Sequence, residues 1–315
     1  MRILVTGDAG FIGKHIFAHL YNNGYEVQGC SRRTTGGRSK VLLVDGNSSL
    51  RHEYDNFHFV IDLKDSKSVI KMLADFQPEL IIHCAANAAP QAGIDGAENM
   101  YLDNVVSTFN LAKEAPDNCK FIFLSSIVVY GDVKSDVPTR WIDACSITSP
   151  TSLYGLTKLQ SENIIRFYRN MENTKILRLG AVTGPGLTHG IIKDFIFKLK
   201  SSSYNLQVLG DRPGSSKPFL HISDLLRVIN LCVENRTDKP NTYNICNKDQ
   251  ANVEEIANAV MDVMGIHKPI EWLGASANWK GDNKILRANV DNLGAGWQPS
   301  LNSIEAIRLA VKENL

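Results

Sequence analysis

Short apolar runs alternate with amphipathic stretches along the first 180 residues of the chain. The runs that are short enough to be buried strands lie at residues 3–5, 26–30, 58–61, 79–83, 120–124 and 175–179. The stretches with helical character lie at residues 11–22, 66–76 and 98–115 and after Pro150. Strands and helices that alternate in this way form a parallel sheet with helices on both faces. The pattern therefore predicts an α/β fold with a doubly wound parallel sheet of the Rossmann type.

The pattern changes after Gly180. Loops rich in glycine and proline follow at residues 183–187 and 210–218, and helices are predicted at residues 253–264 and 303–312. We expect residues 1–180 to form a dinucleotide-binding domain. Residues 181–315 are expected to form mainly a smaller C-terminal substrate-binding lobe, with about 218–248 returning to the first domain. Open α/β sheets bind ligands at the carboxyl ends of their strands, so the lobe should cover that edge.

The composition is typical of a soluble protein with a substantial core, since 43% of the 315 residues are hydrophobic and 21% are charged. The net charge of +1 gives no field that would attract nucleic acid. No apolar run reaches the roughly 18 residues that a membrane span needs, and no signal peptide is visible. We expect a cytoplasmic protein with no membrane partner. Its six cysteines include no Cys-x-x-Cys pair, which favours reduced thiols and no metal site.

The first strand runs straight into three evenly spaced glycines, Gly7, Gly10 and Gly13. In a strand–turn–helix unit the first glycine permits a tight turn, the second lets backbone approach a pyrophosphate, and the third lets the helix pack closely. Phe11 and Ile12 begin the helix, whose free N–H groups would face the phosphates. An ordinary turn is the alternative, but the context predicts a dinucleotide site.

Tyr154 and Lys158 lie four residues apart in a predicted helix, so both side chains occupy one face. A tyrosine ordinarily loses its proton near pKa ~10. A neighbouring ammonium, together with a nicotinamide cation in the same pocket, would favour the phenolate and let Tyr154 act as a base near neutral pH. The alternative is a pair of unrelated side chains on a solvated helix.

The motifs together resemble the extended short-chain dehydrogenase/reductase family, in particular its nucleotide-sugar epimerase and dehydratase branch, which includes UDP-glucose 4-epimerase. The matching segments, which occur in the family's order and spacing, are residues 6–13, 62–63, 83–86, 104, 125–131, 154–158, 178–185, 188–195, 219–224 and 279–282.

The resemblance implies roles for single residues. Ser126 would hydrogen-bond the sugar oxygen, Tyr154 would exchange the proton, and Lys158 would hold the nicotinamide ribose. For Ser126 the alternative is a cap at the end of a strand.

Four further positions carry over to the cofactor site. Asp62, followed by Leu63, would accept a hydrogen bond from the adenine amino group, although a turn or helix cap would explain it as well. Ala85 and Ala86 would be small because backbone passes near the cofactor, with helix–sheet packing as the alternative.

Dehydratases of this branch carry an acid pair after the active-site hydroxyl residue, where this chain has Ile127 and Val128. Neither side chain can exchange protons. The resemblance therefore implies a 4-epimerase that oxidises and re-reduces C4 of a nucleotide-diphosphate hexose. The alternatives are an NADP-dependent reductase of a nucleotide-linked 4-ketosugar and a non-catalytic cofactor-binding protein.

NAD-preferring relatives end the second strand with an acidic residue, where this chain has Ser31 followed by Arg32 and Arg33. An arginine pair attracts a 2′-phosphate. The cofactor is therefore NAD or NADP with a slight preference for NADP, and a solvated basic turn is the alternative.

The substrate lobe departs from the family pattern. Ala181 stands where an asparagine usually contacts the diphosphate, Lys217 stands where an arginine is usual, and Trp279 stands near another expected arginine. His189 is a further candidate for the substrate pocket. Relatives often form homodimers through helices that correspond here to residues 99–115 and 152–171.

Overall fold

The computed structural model describes residues 1–32, 58–88, 96–131, 145–201, 203–237, 241–274, 293 and 296–315. Arg33 and Trp279, two of the predicted binding residues, lie outside this part of the chain.

A parallel sheet of seven strands forms the centre of the described structure, in the order β11-β6-β5-β4-β1-β2-β3. Its strands are β1 (Arg2–Thr6), β2 (Glu26–Ser31), β3 (His58–Val60), β4 (Leu80–His83), β5 (Lys120–Ser126), β6 (Thr174–Leu179) and β11 (Thr242–Ile245). The strand order reverses between β1 and β4, and ligands of doubly wound sheets bind at such a reversal. The predicted fold class is confirmed.

Helices cover both faces of the sheet because successive strand residues point to opposite sides. On one face, Ile3 and Val5 of β1 pack in a core with α1 (Phe11–Asn22) and α7 (Ile222–Val233). On the other face, Leu4 of β1 packs in a core with α2 (Ser66–Phe76), α4 (Ser107–Glu114) and α5 (Leu153–Tyr168).

The helix predicted over residues 98–115 contains an irregular turn. It begins as α3 (Ala97–Tyr101), passes through a π-helical turn (Leu102–Val106) and continues as α4. The turn carries Asn104, whose amide donates to Asn87 O at 3.0 Å and to Thr157 Oγ1 at 3.0 Å. A π turn inserts an extra residue, and here its side chain joins the segment after β4 to α5.

The C-terminal part has a hydrophobic core of its own, between α6 (Ile191–Lys200), α8 (Val253–Met264) and α9 (Ser303–Glu313). Asn252 and Asn302 begin α8 and α9 with capping boxes, which fix both helix starts near the predicted positions. The described residues also form three two-stranded sheets: β7 (Ala181–Thr183) with β10 (Phe219–His221), β8 (Leu206–Val208) with β13 (Ile270–Trp272), and β9 (Ser216–Lys217) with β12 (Ala251–Asn252). Within the described residues no helix has both the length and the apolar character for a membrane crossing.

Candidate active site

The glycine turn after β1 lies at the point where the strand order reverses. Gly7 has a φ of 72°, and a Cβ atom there would lie 2.7 Å from the backbone nitrogen of Ala85, in the segment after β4. A Cβ atom on Gly13 would lie 2.2 Å from the carbonyl oxygen of Gly7. Larger residues at either position would therefore open the turn, which keeps the start of α1 against β1 and β4.

The amino end of α1 is suited to an anion. Its N-cap residue is Gly10, which has no side chain that could accept a hydrogen bond from the helix. By contrast, α2 and α5 begin at Asp65 and Ser152, whose side chains accept hydrogen bonds from backbone N–H groups. The first N–H groups of a helix lack acceptors within the helix and lie at the positive end of its dipole. At α1 these groups belong to Phe11, Ile12 and Gly13, so the turn fits the pyrophosphate of a dinucleotide.

Tyr154 lies in the first turn of α5, which packs against the carboxyl end of β5. Ser152 begins the helix by accepting a hydrogen bond from Gly155 N at 3.1 Å. A Cβ atom on Gly155 would lie 2.8 Å from Val128 O, in the 3₁₀ helix (Ile127–Tyr130) that follows β5. This close approach places the start of α5, with Tyr154, beside the strand end that carries Ser126.

Lys158 joins the same helix to β5. Its ammonium donates to Leu124 O at 2.8 Å and lies 4.8 Å from the centroid of the Phe123 ring and 5.8 Å from that of Tyr154. Only 3% of the residue is exposed. Burial lowers the pKa of Lys158 to about 8, against the opposing charge of Glu162. Lys158 is therefore a buried cation fixed between the strand and Tyr154.

The pKa of Tyr154 is raised, whereas the sequence predicted that it would be lowered. Burial raises the pKa of its phenol to about 12, because the neutral form is favoured when the ring leaves water. Lys158 is directed at the carbonyl of Leu124, so its proximity does not compensate for this burial. The protein's own groups thus keep Tyr154 protonated.

Ser126 is the last residue of β5, and it also caps the 3₁₀ helix that follows. Its hydroxyl accepts from Val128 N at 3.4 Å and donates to Leu179 O at 3.4 Å. Both contacts are longer than ordinary hydrogen bonds. The hydroxyl therefore caps the 3₁₀ helix, which is the alternative role predicted for Ser126. Because both contacts are long, the hydroxyl can also rotate to hydrogen-bond a ligand.

A family model matches most of the chain, including the segments that carry the glycine turn, Ser126, Tyr154 and Lys158. The family model described as "NAD dependent epimerase/dehydratase family" matches residues 3–246 of the chain. The chain belongs to the NAD-dependent epimerase/dehydratase family. This membership confirms the resemblance to the epimerase and dehydratase branch and the enzyme class, the extended short-chain dehydrogenase/reductases.

Individual relatives of this family member have several functions. Methionine adenosyltransferase 2 subunit beta of Xenopus tropicalis is 33% identical over 184 residues, a match that covers 58% of this chain and 47% of that protein. A crystal structure of UDP-galactose 4-epimerase has a TM-score of 0.80 at 29% identity and covers 99% of this chain and 98% of its own. The NAD complex of UDP-glucose 4-epimerase from Thermus thermophilus has a TM-score of 0.83 at 24% identity, over 99% and 98% of the two chains. This last likeness shows the fold.

The other positions predicted near the cofactor have local roles or lie at the surface in this family member. Asp62 accepts a hydrogen bond from Lys64 N at 3.0 Å, which is the turn that the sequence allowed as an alternative. Leu63 is buried in the core. Ala85 donates from its backbone nitrogen to Thr6 Oγ1 at 3.3 Å, and Ala86, one residue later, is exposed.

Arg32 has a partner within the protein. Its guanidinium lies 2.9 Å from Asp103 Oδ1, which also accepts from Lys64 at 3.0 Å. Asp103 thus pairs with both cations, and Lys64 also lies 3.5 Å from Asp62 Oδ2.

The substrate-lobe candidates are spread over three elements. Ala181 starts β7, two residues after Leu179, which pairs with Ser126 across the sheet. It therefore lies at the same sheet edge as Ser126. Lys217 lies in β9, and His189 is an exposed residue before α6 that hydrogen-bonds Thr188.

A buried charge network behind the site was missed in the sequence. Glu162 accepts from Ser125 at 2.6 Å and from Arg178 at 2.9 and 2.7 Å, and Arg178 donates to the Tyr130 hydroxyl at 2.8 Å. Glu162 is completely buried. It follows Lys158 by four residues, so the helical spacing that links Tyr154 and Lys158 could have identified it.

Proposed function

We propose that the protein is an NAD(P)-dependent 4-epimerase of a nucleotide-diphosphate hexose. The observation that carries this proposal is the position of Tyr154 and Lys158, which α5 holds against the end of β5 beside Ser126. The likeness to a UDP-galactose 4-epimerase supports the substrate class.

A bound nicotinamide dinucleotide would accept a hydride from C4 of the sugar and return it to the opposite face. The protein's part is to move the proton and to hold the reactants. Tyr154 takes the proton of the C4 hydroxyl as C4 is oxidised and returns it on re-reduction. Ser126 hydrogen-bonds the same oxygen, and Lys158 holds the nicotinamide ribose.

The residues after Ser126 argue against water elimination. Ile127 is buried in the core, and Val128 packs against it partly buried. Neither side chain can give or take a proton, so the acid pair of a dehydratase has no counterpart at these positions. Epimerisation and simple ketone reduction need no such pair.

A second candidate is a non-catalytic subunit that binds a dinucleotide and a protein partner. The observation in its favour is the similarity to a methionine adenosyltransferase subunit. Fold membership alone does not ensure turnover, so activity has to be measured.

The test is to incubate the purified protein with UDP-glucose and NAD or NADP, and to follow the sugar by NMR and the reduced nicotinamide by absorbance. An epimerase forms the C4 epimer without net cofactor consumption. With a 4-ketosugar, steady consumption of reduced cofactor and no epimerisation would show the reductase instead. No turnover of either substrate would favour the non-catalytic candidate.

Tyr154→Phe is the decisive variant. It removes one hydroxyl, so turnover should fall by about 100- to 10,000-fold, while cofactor affinity stays nearly unchanged. Tyr204→Phe, at an exposed position before β8, is the matched control and should keep the wild-type rate. Equal rates for Tyr154→Phe and the control would refute the proton-transfer role.

We propose in addition that two copies pair through α3 and α5. Large apolar side chains on these helices are exposed, and they are Tyr101, Leu156, Phe167 and Tyr168. Analytical ultracentrifugation should give a dimer for the wild type and a monomer for Phe167→Asp, and a wild-type monomer would contradict the pairing.

A further inference from the structure

The carboxyl end of β2 is where a doubly wound sheet binds the adenosine ribose of a dinucleotide, ordinarily through an acidic side chain. In this chain β2 ends at Ser31. The acidic group at this edge comes instead from the glycine turn, because Asp8 follows Gly7 directly and its side chain extends across β2.

Gly29 makes room for this side chain. A Cβ atom on Gly29 would lie 2.0 Å from Asp8 Oδ2 and 2.6 Å from its carboxyl carbon. Gly29 lies next to Val5 of β1 on one side and next to His58 of β3 on the other. The carboxylate of Asp8 therefore crosses the strand at its least bulky residue and reaches β3.

His58 fixes one oxygen of the carboxylate. Its Nδ1 lies 2.6 Å from Asp8 Oδ2, and the two side chains are only 3% and 5% exposed. A carboxylate accepts hydrogen bonds, so Nδ1 donates the proton. The other ring nitrogen, Nε2, lies 3.3 Å from the Ser31 hydroxyl. The side chains of Asp8, His58 and Ser31 thus form a chain of contacts that ends at the last residue of β2.

The other carboxylate oxygen of Asp8, Oδ1, is not bound to His58. Oδ1 is buried and has no hydrogen-bond partner among the residues that the structure describes. A buried carboxylate oxygen without a donor is costly. This atom belongs to the turn that fits the pyrophosphate, next to the strand end where the ribose hydroxyls of a dinucleotide are bound.

Arg32, the residue that suggested NADP, is less suited to a phosphate than its sequence position implies. Asp103 holds its guanidinium at 2.9 Å. A 2′-phosphate would have to compete with this carboxylate, which already pairs with both Arg32 and Lys64. It would also bring about two negative charges to the edge that carries the buried carboxylate of Asp8.

We propose that Asp8 binds the adenosine ribose of the dinucleotide and makes the protein prefer NAD to NADP. This inference rests on the proposed function, because it requires a dinucleotide at the glycine turn. Oδ1 accepts the hydrogen bond of a ribose hydroxyl while Oδ2 stays bound to His58. Asp8 takes the place of the acidic residue that β2 lacks.

The test is isothermal titration calorimetry of the wild type and Asp8→Asn with NAD and with NADP, which needs no turnover. The wild type should bind NAD more tightly than NADP by at least about tenfold, because a hydrogen bond to a charged acceptor contributes to NAD alone. Asp8→Asn keeps the size of the side chain and removes its charge. It should lower the ratio of the two dissociation constants by about tenfold or more.

Asp75→Asn, an exposed residue of α2, is the matched control and should keep the wild-type ratio. If the wild type binds NADP as tightly as NAD, the inference is overturned even where Asp8→Asn does not fold. An unchanged ratio in a folded Asp8→Asn would overturn it as well. In both cases the proposed function stands, whereas a wild type that binds neither dinucleotide would overturn the proposed function and this inference together.

Discussion

The two ends of the candidate site carry opposite buried charges. At the catalytic end the fixed charge is the ammonium of Lys158, held by the carbonyl of Leu124. At the adenosine end it is the carboxylate of Asp8, held by His58, with Asp103 close to Arg32. In the proposed function a dinucleotide spans both ends, and it would meet a cation at one side and an anion at the other. Reactivity would then depend on Tyr154 and Lys158, and the choice of cofactor on Asp8.

The ends also differ in how their charges are compensated. The pair of Glu162 and Arg178 lies behind the catalytic end with both side chains buried, and Ser125 and Arg178 together donate three hydrogen bonds to Glu162. The pair of Arg32 and Asp103 is open to water on the arginine side. Removing one partner of a buried ion pair lowers the stability of the protein strongly, whereas removing one partner of an exposed pair lowers it little.

The largest effect is expected from Glu162→Gln. The variant leaves the buried guanidinium of Arg178 without its carboxylate, so the free energy of unfolding should fall by about 3–5 kcal/mol in a urea titration. Glu234→Gln, which breaks an exposed pair with Arg236, is the control and should cost less than about 1 kcal/mol. Equal losses in the two variants would remove the distinction between buried and exposed pairs.

A smaller effect concerns Lys158 and pH. Its pKa is about 8 in the folded protein, whereas the ordinary lysine value is 10.5. Between these values the unfolded chain binds more protons, so Lys158 makes the folded state more stable as pH rises. The gain should reach about 3 kcal/mol.

Lys158→Met removes this contribution. Its free energy of unfolding minus that of the wild type should therefore decrease as pH rises through the window between the two pKa values. Comparing the change with pH cancels the constant cost of the lost contacts. If the difference in the free energy of unfolding stays constant over the window, burial does not lower the pKa of Lys158.

The smallest effect is expected at the adenosine end. Arg32→Ala removes a guanidinium that Asp103 already compensates, so the dissociation constant for NADP should change by less than about threefold. Arg236→Ala, in the exposed pair with Glu234, is the control. A tenfold loss of NADP affinity in Arg32→Ala alone would show that Arg32 binds the phosphate after all.

Local patterns in the sequence predicted the fold and the catalytic end. Alternating strands and helices predicted the sheet, and the spacing of Tyr154 and Lys158 depends on a single helical turn. The adenosine end could not be predicted in this way, because Asp8 and His58 are far apart in sequence and meet only when β1, β2 and β3 pair. The direction of the Tyr154 pKa shift could not be predicted from the sequence either, because it depends on the burial of the ring in the folded protein.

The central claim is that the protein alone keeps Tyr154 protonated and that a bound nicotinamide cation makes it a base. The direct measurement is the ionisation of Tyr154, taken as the tyrosinate absorbance of the wild type minus that of Tyr154→Phe, with and without NAD. Without NAD, Tyr154 should stay protonated at pH values above the ordinary tyrosine pKa of 10.0. With NAD it should ionise about 2 or more pH units lower. The same ionisation pH in both titrations would contradict the account.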